Sequence, residues 1–319
     1  MRRSYRPHRM DARELDYDLP PELVAQTPAP RRDASRLLVY SRATGGVEHR
    51  VFSELPDLLP AATLCVVNDT RVVPARIAIE RPRGEVLLLE QLGDGLWDAL
   101  ARPTRRLRAG RRYGQVELLD HLGEGRWRVR LHGDPGGRAP LPPYITEPLD
   151  DEERYQTVYA RAEGSAAAPT AGLHFTTELL ARLDVERVTL HVGLDTFRPL
   201  QSDRVEDHEI HGERYEVAPE AWERIHAHER VLAVGTTSVR VLETLAAGAP
   251  LTGRTELFVT PGFQFRRVDH LLTNFHLPRS TLLALVMAFA GVDETRKLYE
   301  LAIEERYRFY SFGDAMLIL

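Results

Sequence analysis

Between residues 76 and 131 the chain is built of short apolar-alternating runs separated by glycine, and this stretch restricts the fold more than any other. Runs at 76–80, 85–91, 97–101, 115–119 and 127–131 have the length of strands, with Gly93, Gly95, Gly110, Gly123 and Gly125 in the gaps. Short, evenly spaced strands with turn residues between them predict a small antiparallel β-barrel. The Pro- and Gly-rich stretch 133–143 ends it as a domain boundary.

The flanks have another texture. Residues 37–41 read as a strand, Thr44-Gly45-Gly46 as a turn and 47–52 as the returning strand. Ser53 is placed to cap a short helix to Leu59, and 63–67 is a buried strand. After Tyr155, helices are expected at 176–183, 219–230, 238–246, 280–290 and 293–306, with strands at 188–192, 231–234 and 256–259. Such alternation predicts a layered α/β domain. The strand at 63–67 precedes the barrel, so the barrel is an insertion. The expected division is an α/β domain of residues 1–70 and 148–319, the second part catalytic, with a barrel at 71–147. Residues 1–13, polar and rich in arginine, are expected to fray.

Composition excludes several classes. The chain has 319 residues, enough for two domains, and its longest apolar run, near 282–291, is about half of what a bilayer span requires. The arginines near the N-terminus precede no apolar stretch, which argues against a secretory signal. The single cysteine, Cys65, permits no intrachain disulfide and reads as a small buried residue. A cytoplasmic protein is expected. Net charge is −5, yet residues 71–147 carry 14 Arg against 10 acidic residues. Only Lys297 is a lysine, and the arginines supply planar forks suited to phosphate.

Four segments are richer in polar groups than a core requires. Asn68-Asp69-Thr70-Arg71 follows the 63–67 strand, where side chains of an α/β sheet face the ligand crevice. Residues 154–160 lead into the small residues 164–172, which allow close backbone approach, and His174 stands just before a helix start capped by Thr176 or Thr177. Gly235-Thr236-Thr237-Ser238 joins a strand to the helix bearing Arg240 and Glu243, an anion or hydroxyl cradle without the P-loop lysine. Asn274 and His276 precede Pro278 and the capping Ser280, with no packing role visible in the sequence. His208-Glu209-Ile210-His211 lacks the three-residue spacing of a zinc helix, so no metal is expected. Arg102, Arg105, Arg106, Arg108, Arg111 and Arg112 lie within eleven acid-free residues and suit a polyphosphate backbone.

Together these segments resemble the S-adenosylmethionine:tRNA ribosyltransferase-isomerase family. The matching stretches are DYDLPPELVAQ at 16–26, RDASRL at 32–37, NDTRVVPAR at 68–76, PLPPYI at 140–145 and RYQTVYA at 154–160. They continue with APTAGLHFT at 168–176, GTTSVRVLE at 235–243, TNFHLPRSTLLALV at 273–286 and YRFYSFGDAML at 307–317. Asp195 departs from the family pattern, which has glycine there.

The resemblance implies an α/β domain with an inserted β-barrel. It also implies transfer of the ribosyl part of S-adenosylmethionine to 7-aminomethyl-7-deazaguanine at the tRNA wobble position. Isomerisation then gives epoxyqueuosine-tRNA, adenine and methionine. S-adenosylmethionine is consumed as a co-substrate, no cofactor is expected, and the expected state is a monomer without a membrane partner. The reaction needs a base for a C5′ proton, an acid for departing adenine, donors for the methionyl carboxylate and a neutral amine nucleophile. The titratable candidates are His174, His276, Asp69 and Asp314. Candidates for substrate binding are Arg71, Arg161, Pro169, Thr170, Gly172, Phe175, Gly235, Thr236, Thr237, Ser238, Arg240, Glu243, Asn274, Ser280 and Thr281. The Arg102 to Arg112 run is the candidate tRNA surface. Two other readings compete: a non-catalytic tRNA-binding module, and an enzyme that hydrolyses S-adenosylmethionine without RNA.

Overall fold

A computed structural model describes residues 10–134, 136–193, 200, 202–208, 210 and 212–319. Asp195 and His211 lie outside these residues, as does the 1–9 part of the expected frayed extension.

A nine-stranded mixed sheet forms the centre. Its order is Thr252–Thr255, Glu213–Glu216, Asp184–Leu190, Thr63–Asn68, Arg230–Val234, His270–Asn274, Ala315–Ile318, Arg36–Tyr40 and Val47–Val51. Asp184–Leu190, Thr63–Asn68, Arg230–Val234 and His270–Asn274 run parallel as successive neighbours, so their C-terminal ends share one edge. Thr63–Asn68 is buried at every position, as its apolar run requires.

Successive side chains of a strand face opposite sides of the sheet, and the core divides accordingly. Leu64, Val66, Ala233 and Leu271 pack on one face under the helices Pro219–Ala227, Thr236–Ala246, Thr281–Ala290 and Val292–Glu304. Cys65, Val67, Val234 and Leu272 pack on the other with Phe52, Leu55, Phe175 and Leu179. Burial pushes the Cys65 thiol up to about 12, so it stays protonated.

The glycine-punctuated stretch folds as a six-stranded antiparallel sheet ordered Arg76–Ile79, Gly84–Gly93, Leu96–Arg102, Arg126–Leu131, Val116–Gly123 and Arg111–Tyr113. Alternate residues such as Trp97, Ala99 and Ala101 turn inward, and the sheet curls like a half-barrel around one separate core. Its end strands, Arg76–Ile79 and Arg111–Tyr113, do not pair with each other, so the hydrogen-bonded ring of a closed barrel is absent among the described residues. Thr70–Val72 and Ala162–Ser165 pair in parallel beside the junction.

Several local expectations are corrected. Residues 10–13 are ordered: Met10 and Ala12 are fully buried, and Asp11 caps a 3-10 turn over Ala12–Leu15. Ser53 is not a cap; Phe52–Glu54 is a 3-10 turn whose Glu54 side chain reaches back to the Val51 amide. The strand expected at 256–259 lies instead at Thr252–Thr255, where the Glu213–Glu216 edge offers a partner. The helix expected over 176–183 is only Thr177–Leu180, because the chain enters the Asp184–Leu190 strand four residues later.

Candidate active site

The common edge of the four parallel strands gathers most of the polar segments, where an open α/β sheet binds ligands. Asn68 ties its own strand to the end of the Asp184–Leu190 strand and to the start of the Thr236–Ala246 helix. Its Nδ2 donates to the Leu190 carbonyl at 3.0 Å and to Thr237 Oγ1 at 3.2 Å, while its Oδ1 accepts from the Leu190 amide at 2.9 Å. Asp69 is fully buried; Oδ1 accepts from Thr189 Oγ1 at 2.6 Å, and Oδ2 lies 2.9 Å from Nη2 of Arg161, whose side chain is 71% exposed. A fully buried carboxylate tied to a cation that remains in solvent is open to exchange of that partner for a ligand.

Gly235 ends the Arg230–Val234 strand at φ +84°, a conformation that side chains disfavour, and the Thr236–Ala246 helix starts at once. A Cβ at Gly235 would lie 3.6 Å from that of Ala171, which brings the 168–172 segment against the helix start. Ser238 bonds back to the Val234 carbonyl at 2.8 Å, and Thr236 and Thr237 are nearly buried. Pro169 leads into the 3-10 turn Thr170–Gly172, and Gly172 allows the Tyr159 hydroxyl to sit where a Cβ would project. Phe175 packs against Phe52 at 5.0 Å between ring centres.

His174 stacks on Phe52 at 4.9 Å. Asn274 Nδ2 donates to His174 Nε2 at 3.2 Å, so the neutral ring carries its proton on Nδ1 and donates it to Ser35 Oγ at 2.7 Å. Burial, with Arg308 and Arg32 nearby, holds its pKa down to about 3. A small cavity beside the ring is lined by Arg32, Ser35, Arg154, Ser311 and Phe312. Tyr159 and Phe175 share this face with His174, and burial and the Asp69 charge push the Tyr159 phenol up.

His276 lies on the other face. Its Nε2 pairs with Thr273 Oγ1 at 2.7 Å, its amide donates to the Tyr299 hydroxyl at 2.9 Å, and burial holds its pKa down to about 3. Asp314 accepts from the Arg36 amide at 2.9 Å and the Arg308 amide at 2.8 Å, while burial pushes its carboxyl up. Both its oxygens thus serve the backbone.

Other candidates stand apart from the strand edge. Arg240 is bound to Glu213 and to the Leu257 and Thr255 carbonyls. Glu243, 1% exposed, accepts from the amides of Arg266, Arg267 and Val268 at 2.8, 3.0 and 3.0 Å. Ser280 caps Thr281–Ala290, with Thr281 as its first residue. Arg71 pairs with Glu153 at 2.6 Å. All six arginines between Arg102 and Arg112 are exposed, and among the described residues none is paired with a carboxylate. Sequence reasoning missed Ser35, Thr189 and His191 as site groups. His191 falls inside the strand expected at 188–192, and only the end of the actual strand at Leu190 brings it to the sheet edge.

Comparison with known proteins gives one answer. A family model described as queuosine biosynthesis protein matches residues 12–318. A relative from Rubrobacter xylanophilus, named S-adenosylmethionine:tRNA ribosyltransferase-isomerase, is 52% identical over 96% of this chain and 97% of its own length. One of the same name from Desulfitobacterium hafniense is 48% identical over 97% of this chain and 100% of its own. The crystal structure of S-adenosylmethionine tRNA ribosyltransferase from Thermotoga maritima superimposes with a TM-score of 0.57 at 38% identity, covering 96% of this chain and 100% of that one.

Proposed function

Since the chain belongs to the queuosine biosynthesis protein family, we propose that it transfers and isomerises the ribosyl group of S-adenosylmethionine onto a base in tRNA. The observation that carries this reading is the family match across residues 12–318. The acceptor is 7-aminomethyl-7-deazaguanine at the wobble position; the products are epoxyqueuosine-tRNA, adenine and methionine. S-adenosylmethionine is a consumed co-substrate, and no cofactor takes part. The enzyme works as a monomer in the cytoplasm. No described helix is long and apolar enough to cross a membrane.

Residues 71–147 form the inserted barrel of this reading, with 1–70 and 148–319 as the catalytic domain. The separate core of the six-stranded sheet supports that division. S-adenosylmethionine lies over the strand edge. Gly235, Thr236, Thr237 and Ser238 supply helix-start amides and hydroxyls for its carboxylate or ribose. Pro169, Thr170 and Gly172 shape the wall beside them. Asp69 and His174 are the acid–base pair, because they share one face with Tyr159. His276, Asp314, Arg240, Glu243, Ser280 and Thr281 position the site from behind, and Arg71 and Arg161 are its outer cations. The exposed arginine run takes tRNA phosphates.

The test is single-turnover release of adenine and methionine, with precursor tRNA or S-adenosylmethionine omitted in turn. Release is expected only with both present. Equal release without RNA would support the RNA-independent hydrolase, and methylated tRNA would exclude ribosyl transfer.

A further inference from the structure

The curled sheet and the nine-stranded sheet meet at a cleft of about 90 Å³. Glu90 and Gln91 of the Gly84–Gly93 strand form one wall; Glu163, His191, Arg214 and Arg254 form the other. Arg254 pairs with Glu90 across it and bonds to the Gly212 carbonyl, so the two units are tied together here.

His191 directly follows the Asp184–Leu190 strand, at the edge where Asp69 and Thr189 also lie. Its Nδ1 is 2.9 Å from Thr70 Oγ1, and that hydroxyl donates to the Ala162 carbonyl at 3.3 Å. A hydroxyl has one proton, so Thr70 accepts from Nδ1–H. Nε2 then keeps its lone pair, and it makes no hydrogen bond with the described residues. A Cβ at Gly164 would come within 3.0 Å of the ring at Cε1 and Nδ1. The glycine therefore lets the imidazole lie against the backbone.

We propose that this cleft receives the protonated primary amine of the acceptor base, and that His191 Nε2 takes the proton which that amine must lose before it attacks. The proposal rests on the ribosyl-transfer reading. In the step, one N–H bond of the ammonium breaks and its electron pair stays on nitrogen as the nucleophilic lone pair. An Nε2–H bond forms, and the products are a neutral amine and an imidazolium of unchanged total charge. Burial first, then Arg214, hold the His191 pKa below the ordinary value, which keeps the ring neutral beforehand. Asp69, Glu216 and Glu90 act in the opposite sense and stabilise the imidazolium once formed.

The inserted sheet delivers the base. Glu90 stands at the cleft, and Glu85, five residues earlier on the same strand, lies opposite Arg102, the first of the exposed arginines, in the backbone register of the neighbouring strand. At about 3.3 Å per residue this separation is roughly 17 Å. RNA held by its phosphates on the arginine run thus has one strand to follow into the cleft.

The experiment is single-turnover ribosyl transfer to precursor tRNA between pH 6 and 9, comparing wild type with His191→Gln, each checked for folding and for binding of both substrates. His191→Gln should bind both normally and lose about 10²–10⁴-fold in rate near neutrality. The loss should shrink by roughly tenfold per pH unit as free amine forms in solution, which a purely structural histidine would not produce. Thr70→Val, which removes the Nδ1 acceptor, should also slow transfer, and Thr70→Ser should restore it. An unchanged His191→Gln rate, or a loss constant with pH, overturns the proposal. Should His191→Gln fail to fold, an unchanged rate in Thr70→Val overturns it. If the wild type forms no ribosyl product, the functional reading itself falls, and this inference with it.

Discussion

His174 and His276 hydrogen-bond to adjacent residues of one strand, Asn274 and Thr273, and so lie on opposite faces of the nine-stranded sheet. The His174 face also carries Tyr159 and Phe175, next to Asp69. The His276 face carries Phe275 and Tyr299.

The two histidines should therefore respond differently to replacement. His174→Ala should lower single-turnover adenine release by about 10²–10⁴-fold with S-adenosylmethionine binding retained. His276→Ala should lose less than about tenfold in rate once its folded fraction is taken into account. Equal losses, measured with both substrates saturating, would count against placing the chemistry on the His174 face.

Both imidazoles also make stability depend on pH. Each is held down to about 3 from an ordinary 6.5 in the folded chain. Below pH 6.5 the unfolded chain binds these two protons and the folded chain does not. Their contribution is fully present above pH 6.5 and is lost as pH falls towards 3, at up to about 2.7 kcal/mol per unit. Urea unfolding at several pH values reads this slope, and His276→Gln should reduce it by one proton.

The arginine run should govern RNA affinity alone. Replacing Arg105, Arg106 and Arg108 together by alanine should weaken tRNA binding and flatten its salt dependence by roughly 0.7 per lost single-strand contact. Calorimetry with S-adenosylmethionine should show no change. An unaltered salt slope would make this loop ordinary solvated surface.

The helix start after the Arg230–Val234 strand should govern S-adenosylmethionine affinity. Thr237→Val removes an acceptor of the Asn68 amide and should raise KM for S-adenosylmethionine with tRNA affinity unchanged. Gly235→Ala forces a side chain into φ +84° and should cost about 1–2 kcal/mol of stability as well. A rise in the tRNA dissociation constant alone would assign the turn to the RNA surface.

Glu243 should prove to be structural. Glu243→Ala leaves the amides of Arg266, Arg267 and Val268 without their carboxylate and should cost roughly 3 kcal/mol, a drop in Tm of several degrees. Rate per folded molecule should change little. A normal Tm with a collapsed rate would place Glu243 on the ligand.

Periodicity and glycine spacing, which are local properties, were enough to indicate strands at 63–67 and 231–234, the antiparallel sheet that follows Thr63–Asn68 and the buried Cys65. The family, too, was legible in the linear motifs, confirmed by the match over residues 12–318. The sequence could not show that Glu213–Glu216 and Ala315–Ile318 are strands, because an edge or antiparallel partner far along the chain supplies their hydrogen bonds. Nor could it tell Glu243 and Asp314 from ligand-binding acids: each looks reactive in a motif, yet folding turns its oxygens onto backbone amides. His174 and His276 likewise look alike in sequence. Only the pleat of His270–Asn274, which directs neighbouring side chains to opposite sides, puts them on separate faces, and only the meeting of two distant sheets puts His191 in a cleft.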